Sequence, residues 1–184
     1  MEDYQLLIDL HKGANRQGPG GDAETGMAVD MSMIDRSAPL RVADIGCGTG
    51  ASTLLLAKLL NAQITAVDFL QDFLEVLEGK SEDMGFSDKI STLCCSMDNL
   101  PFGDEEFDVI WSEGAIYNIG FKRGSKDWNR YLKVGGILGR DIQYWLSKRI
   151  KRLEPLSESG RNTCCFGDYL DYSLPSYGSS KILG

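Results

Sequence analysis

A short apolar run, followed by a glycine-rich loop and a helix, constrains this fold more than any other feature of the sequence. Residues 40–45 predict a strand, residues 46–50 a tight loop, and residues 51–60 a helix rich in Leu and Ala. Glycine suits the loop because the chain must reverse there while its backbone stays open to close approach by a ligand. The sequence therefore predicts a ligand site where this first strand ends.

The same alternation of strand and helix continues along the chain. Further strands are predicted at residues 63–67, 89–94, 107–111 and from 137 onward, and further helices at residues 4–11, 23–34, 70–77 and 128–132. Gly135 and Gly136 are interpreted as the stop of the last helix. Such alternation favours parallel pairing through right-handed crossovers, so we expect an α/β fold with a mostly parallel sheet. Ligands of such sheets bind beyond the carboxyl ends of the strands.

Two acidic residues lie at such strand ends and bear on the choice of cofactor. Asp68 follows the second strand, where a carboxylate can accept hydrogen bonds from ribose hydroxyls. Gly46, Gly48 and Ala51 match a dinucleotide fingerprint, which leaves NAD open as a cofactor. Asp44, two positions before the first glycine, favours a cationic ligand because a pyrophosphate avoids a nearby anion. S-adenosylmethionine, which carries an ammonium and a sulfonium, therefore fits better than NAD.

Several segments together resemble a known family. Residues 44–50 (Asp-Ile-Gly-Cys-Gly-Thr-Gly) are similar to the first motif of the Rossmann-like (class I) S-adenosylmethionine-dependent methyltransferases. Later motifs of that family are matched in order by Asp68 and by residues 96–102, 107–112 and 131–136. Small bacterial methyltransferases are the nearest in pattern, through residues 16–20 and 111–120. The resemblance covers about residues 4 to 138.

This resemblance implies a Rossmann-like three-layer α/β/α sandwich with S-adenosyl-L-methionine as cofactor. It assigns seven residues to cofactor binding: Asp44, Gly46, Gly48, Gly50, Asp68, Ser96 and Met97. The glycines would line the methionine part, Asp68 would bind the ribose, and Met97 would pack on the adenine. Ser96 stands where many relatives carry an acid, so its uncharged hydroxyl would be a weaker acceptor for the adenine amino group.

The segment after the fourth strand is where a substrate would lie. Glu113 and Tyr117 are the candidate catalytic residues, as contacts to the methyl acceptor, and residues 16–20 are a candidate lid over the cofactor. No metal is predicted, because the chain has one histidine and its five cysteines lack ligand spacing. The basic run at residues 148–152 is interpreted as a solvated face, with a contact to nucleic acid or to an anionic membrane as the alternative.

Charge and cysteine usage bear on partners and compartment. The formal net charge of -8 disfavours a nucleic-acid partner and leaves a small-molecule methyl acceptor as the expected substrate. The odd number of cysteines and the absence of a signal peptide predict a cytoplasmic protein. No apolar run is long enough to span a bilayer, so no membrane partner is expected. The sequence does not predict an oligomeric state.

The C-terminal part departs from the family pattern. We divide the chain into an N-terminal helical or lid segment (1–38), a cofactor-binding core (39–144) and an atypical tail (145–184). Arg140 and Asp141 interrupt the fifth strand, so we expect the final strands of the family to be lacking and the fifth strand to be an exposed edge. The hypothesis is truncation or replacement of this part, for example by a frameshift.

Three functions follow from the sequence. The first is an S-adenosylmethionine-dependent methyltransferase that acts on an unidentified small molecule. The second is an inactive S-adenosylmethionine-binding remnant. The third is an NAD-dependent oxidoreductase, against which Asp44 argues.

Overall fold

The computed structural model describes residues 8–9, 11–18, 20–140, 154–155 and 162–165. The strands are β1 (Leu40–Ile45), β2 (Ala62–Asp68), β3 (Ile90–Cys94), β4 (Phe107–Ser112), β5 (Leu132–Arg140), β6 (Glu154–Pro155) and β7 (Asn162–Cys165). The α-helices are α1 (Asp22–Met31), α2 (Ala51–Leu59), α3 (Gln71–Asp83) and α4 (Phe121–Trp128). Single 3₁₀ turns form at Ile116–Asn118 and Asn129–Tyr131. Of the helix predicted at residues 4–11, only residues 8, 9 and 11 are described, and they are helical.

The strands form one sheet in the order β3-β2-β1-β4-β5-β7-β6. All neighbouring strands are parallel except the pair β6 and β7, so the predicted mostly parallel sheet is confirmed. The strand order reverses between β1 and β4, since the chain runs outward from β1 to β3 and then returns to the other side of β1. Such a reversal opens a crevice at the carboxyl ends of the two central strands.

The expectation that β5 is an exposed edge is wrong for the sheet that forms. β7 pairs in parallel with residues 137–140 of β5, so β5 is not an exposed edge. β6 in turn pairs antiparallel with β7. β7 has four residues and β6 two, and strands this short carry no readable alternation of apolar and polar residues. β7 pairs with backbone groups of β5, and β6 with backbone groups of β7, and such pairing does not depend on side-chain pattern.

The turn into β5 also differs from the prediction. α4 ends at Trp128, and the strand already begins at Leu132, which pairs with Phe107. The register then shifts between Phe107 and Val109, so extra residues of β5 bulge out of the ladder. Gly135 has a φ of +81° in this bulge. The glycines predicted as a helix stop therefore permit a β-bulge instead.

Helices cover both faces of the sheet and complete the three-layer sandwich. On one face, α1 and α2 pack on Val42, Ile64 and Trp111 through residues such as Leu56. α3 joins the same face through Leu74 and Leu77. On the other face, Ile45 and Ile110 pack against Trp128 of α4. Within the described residues, no helix has the length and apolar composition that crossing a bilayer requires.

Candidate functional site

A cleft of about 590 Å³ opens at the carboxyl ends of β1, β2 and β4. Seven of the nine predicted site residues line it: Gly46, Gly48, Asp68, Ser96, Met97, Glu113 and Tyr117. Asp44 and Gly50 do not line it. The structure therefore brings together residues from four separate parts of the chain, as the strand-end argument predicts.

Backbone conformation requires the three glycines of the loop after β1, and close packing requires two of them as well. Gly46, Gly48 and Gly50 all have positive φ, at +77°, +55° and +88°. A Cβ on Gly46 would lie 2.2 Å from the Cβ of Ala115, which is the opposite wall of the cleft. A Cβ on Gly50 would lie 2.2 Å from Cδ1 of Leu77. Gly50 thus allows α2 to approach α3 closely, whereas Gly46 keeps the cleft open.

Three amide groups of this loop are satisfied by the loop and its neighbouring strand. The N–H groups of Gly46 and Cys47 both donate to the carbonyl of Val67, at 2.8 and 3.0 Å. The N–H of Gly50 donates to the carbonyl of Cys47 at 3.0 Å. These bonds fix the loop against β2 without any ligand, so the cleft is preorganised.

Asp68 holds the loop and still faces the cleft. Its Oδ2 accepts from the N–H of Gly48 at 2.8 Å, and its Oδ1 accepts from the N–H of Leu70 at 2.9 Å. The residue is partly exposed and lines the cleft. Since each carboxylate oxygen can accept more than one hydrogen bond, both retain capacity for vicinal hydroxyl donors. The predicted ribose contact is therefore sterically and chemically open.

Asp44 lies behind the loop and is fully buried. Its Oδ2 accepts from the hydroxyls of Thr53 at 2.7 Å and Ser52 at 2.9 Å, while its Oδ1 has no partner among the described residues. Burial raises the pKa of Asp44 to about 6, against the opposing effect of the two hydroxyls. Asp44 does not line the cleft. Its predicted direct contact with a cofactor therefore stays a prediction.

The segment after β3 forms the far end of the cleft. Ser96 Oγ lies 3.4 Å from Oδ2 of Asp98, and the N–H of Asp98 donates to Ser96 Oγ at 3.3 Å. The carbonyl of Met97 accepts from Nε1 of Trp128 at 3.2 Å, which fixes the Met97 backbone. Phe69 also lines the cleft and is well exposed. This end offers the thioether and aromatic surface that an adenine ring would need.

Glu113 is the centre of a buried polar network. Its side chain is only 2% exposed, and its Oε1 accepts from Nη1 of Arg16 at 2.9 Å. The hydroxyl of Thr25 lies 2.9 Å from both carboxylate oxygens, and Nε1 of Trp111 donates to Oε2 at 3.3 Å. These donors occupy the oxygens that the sequence assigned to a methyl acceptor. Tyr117, by contrast, is 58% exposed at the cleft rim.

The segment at residues 16–18 forms one wall of the cleft, as the lid prediction requires. Oε1 of Gln17 accepts from the N–H of Thr49 at 3.0 Å, and its Nε2 donates to Thr49 Oγ1 at 2.9 Å. Gln17 was not predicted as an individual site residue, because its partner is 32 positions away and no local pattern joins the two. The only sequence signal was its position inside residues 16–20.

Among the described residues, the charged side chains that line the cleft are one guanidinium and three carboxylates, from Arg16, Asp68, Asp98 and Glu113. Glu113 pairs with Arg16 and Asp98 with Arg123, so Asp68 is the lining carboxylate without an ion pair in the described part of the chain. Its charge favours a cationic ligand over a polyanionic one. No group of three or more His, Cys, Asp or Glu in the described part of the chain could hold a metal ion.

Comparison with known proteins places this cleft in a family context. The family model described as "Methyltransferase domain" matches residues 42–136, more than half of the chain. "Methyltransferase GfsG" from Streptomyces halstedii is 30% identical over 120 residues, which cover 63% of this chain and 43% of that protein. "Malonyl-[acyl-carrier protein] O-methyltransferase" from Laribacter hongkongensis is 30% identical over 119 residues, covering 61% of this chain and 40% of that protein.

The crystal structure of "[4+2]-Cyclase SpnF" superimposes with a TM-score of 0.59 at 26% identity, covering 68% of this chain and 47% of that one. In the two curated relatives described above, the part that this chain matches is about two fifths of their length. The family model extends from Val42 in β1 to Gly136 in β5, and it includes the glycine loop and most of the residues that line the cleft.

Proposed function

This chain belongs to the methyltransferase-domain family, and from that premise we propose that it binds S-adenosylmethionine and transfers its methyl group to a small-molecule acceptor. One observation carries the proposal beyond family membership. The 2.8 Å bond from the N–H of Gly48 to Asp68 joins the glycine loop and the ribose-type acid within a single cleft. A nucleoside held by Asp68 would therefore extend along the loop toward Tyr117, where an acceptor has room.

The residues present fit this cofactor in charge and shape. Asp68 would accept from the ribose hydroxyls, and Met97 with Ser96 would contact the adenine. Gly46 and Gly48 would border the methionine part, since a side chain at Gly46 would collide with Ala115. Asp44 adds a carboxylate behind the loop, and its buried Oδ1, which has no partner among the residues that the structure describes, favours positive charge nearby.

The bound cofactor would supply an electrophilic methyl group on a sulfonium, and the chain itself would supply alignment. Methyl transfer requires the nucleophile, the methyl carbon and the sulfur to lie in line, with water kept out. Residues 16–18 cover one side of the cleft, and Glu113 positions them through Arg16. Tyr117 remains the proposed contact to the acceptor, because its ring is exposed at the rim.

We further propose that the protein works in a bacterial cytoplasm without a nucleic-acid or membrane partner. The formal net charge of -8 and the acidic cleft disfavour a polyanionic partner. Cys47, Cys94 and Cys95 are free thiols, which suits a reducing compartment. Both curated relatives described above come from bacteria.

Calorimetry with S-adenosylhomocysteine, the demethylated product, tests the binding step. Asp68→Asn should weaken binding by about tenfold or more, since hydrogen bonds to a charged group contribute about 1.5–3 kcal/mol. The matched control is Asp88→Asn, an exposed carboxylate outside the cleft, which should bind as the wild type does. A wild type that does not bind, or an Asp68→Asn variant with unchanged affinity, would refute the proposal.

A second candidate function is cofactor binding without methyl transfer. It is favoured by the structural likeness to SpnF, whose name describes a cyclase. The engaged oxygens of Glu113 also leave Tyr117 as the one predicted catalytic side chain that is free to meet an acceptor. A transfer assay with radiolabelled S-adenosylmethionine and a panel of small acceptors separates the two, because this candidate binds the cofactor without turnover.

A further inference from the structure

Two amide groups of the glycine loop are satisfied by side chains rather than by backbone. The N–H of Gly48 donates to Asp68, and the N–H of Thr49 donates to Oε1 of Gln17. Together with the backbone bonds of Gly46, Cys47 and Gly50, they leave no amide of residues 46–50 without a partner from the chain. In a dinucleotide site, such loop and helix-terminal amides are the donors that bind the pyrophosphate.

Gln17 is held in this position by more than one bond. Its Nε2 donates to the carbonyls of His11 and Ala14, both at 3.2 Å, and to the hydroxyl of Thr49 at 2.9 Å. Its Oε1 also stands directly over the loop, since a Cβ on Gly48 would lie 2.4 Å from it. A phosphate at this point would have to displace the carboxamide and break these bonds together.

We propose that Gln17 is a specificity-determining residue, whose carboxamide occupies the phosphate position of the glycine loop and so excludes pyrophosphate-linked nucleotides from the cleft. Asp68 adds to the exclusion, because its carboxylate holds the adjacent amide of Gly48. Gln17 lies outside the partial dinucleotide fingerprint of Gly46, Gly48 and Ala51. It nevertheless blocks the pyrophosphate binding that this fingerprint would predict. The inference rests on the proposed function and deepens it, since it states which class of nucleotide the same cleft excludes.

Binding of ADP to the full chain, measured by calorimetry, tests this assignment. Gln17→Ala frees the Thr49 amide and should raise the affinity for ADP by about tenfold over the wild type. Gln17→Glu keeps an acceptor and adds negative charge, so it should bind ADP no better than the wild type. Gln63→Ala, an exposed glutamine at the opposite end of β2, is the matched control and should behave as the wild type does.

Circular dichroism establishes that each variant is folded, and Gln17→Ser replaces Gln17→Ala if the latter is not. Equal ADP affinity in the wild type and the folded alanine or serine variant would overturn the proposal, as would an equal gain in Gln17→Glu. S-adenosylhomocysteine is titrated in parallel. Its failure to bind the wild type would refute the proposed function, while the ADP comparison would still decide the role of Gln17.

Discussion

Arg16 and Glu113, 97 positions apart in the sequence, form an ion pair of 2.9 Å between Nη1 and Oε1. The arginine side chain is 14% exposed and the glutamate 2%, so the pair lies in a low-dielectric environment. It fixes the N-terminal segment to the end of β4. The cleft is thus closed on this side by an ion pair and by the side-chain carboxamide of Gln17, rather than by apolar packing alone.

Removing the arginine should destabilise the whole domain. Arg16→Met leaves Glu113 as an uncompensated buried charge, and the free energy of unfolding should fall by about 3 kcal/mol. Urea denaturation measures the change. The control is Arg130→Met, whose partner Asp104 is exposed, and which should leave stability almost unchanged. Equal effects of the two substitutions would show that the Arg16 pair is not a structural anchor.

Adding one methyl group to the glycine loop should be costly. Gly46→Ala places a Cβ 2.2 Å from that of Ala115 at a φ of +77°, so we expect a loss of about 2–3 kcal/mol in stability and loss of S-adenosylhomocysteine binding. Gly79→Ala in α3 has open space around its Cβ and should instead stabilise the fold by about 0.5–1 kcal/mol. Thermal denaturation and calorimetry check both. A tolerated Gly46→Ala would mean that the loop can move away from Ala115.

Asp44 should make stability depend on pH in an unusual direction for a carboxylate. Its pKa of about 6 in the folded chain exceeds the ordinary value of 3.8, so folded chains bind the proton more tightly than unfolded ones. Its contribution therefore favours folding at low pH and is lost as the pH rises through about 6. As the pH rises from about 4 to about 7, the free energy of unfolding of Asp44→Asn should therefore increase by about 3 kcal/mol relative to that of the wild type.

Urea denaturation across that pH range measures the difference between the two proteins. Asp88→Asn, on the surface, should leave the pH profile as it is in the wild type. Parallel profiles for Asp44→Asn and the wild type would contradict the raised pKa.

Tyr117 should affect turnover and not folding. Its side chain is exposed at the rim, so Tyr117→Ala should change stability by about 0.5 kcal/mol or less. If it contacts the acceptor, kcat/KM for the methyl acceptor should fall by about tenfold while S-adenosylhomocysteine affinity stays constant. Steady-state kinetics with calorimetry separates these quantities. Reduced affinity for the cofactor product would place Tyr117 on the cofactor instead.

The parts of the fold that sequence alone predicted are those governed by local pattern. β1 was predicted with its observed bounds, and the helix around Leu74 and Leu77 was confirmed, because apolar spacing within one element decides both. The bulge at Gly135 and the pairing of β7 with β5 were not predicted. Both depend on which strand lies alongside. The local sequence of a glycine pair, or of a four-residue strand, is compatible with several backbone structures.

The candidate site divides in the same way. Asp68 and the glycines could be placed because ligands gather at the carboxyl ends of parallel strands, and the motif spacing carries that information. The role of Gln17 could not, since it depends on a contact to Thr49 made only after folding. Glu113 lies directly after β4, as the sequence predicted. Its hydrogen bonds with Arg16 and Thr25 could not be predicted, because those residues lie in α1 and in the segment before it.

The central position of β1 bears on how this domain emerges during synthesis. β1 hydrogen-bonds to β2, the next strand to be made, and to β4, whose first residue is Phe107. A nascent chain that has released only β1 to β3 has one side of β1 unpaired and lacks the Ala115 wall opposite the glycine loop. Until β4 leaves the ribosome, that open strand is a target for chaperones and for pairing with neighbouring chains on the same messenger.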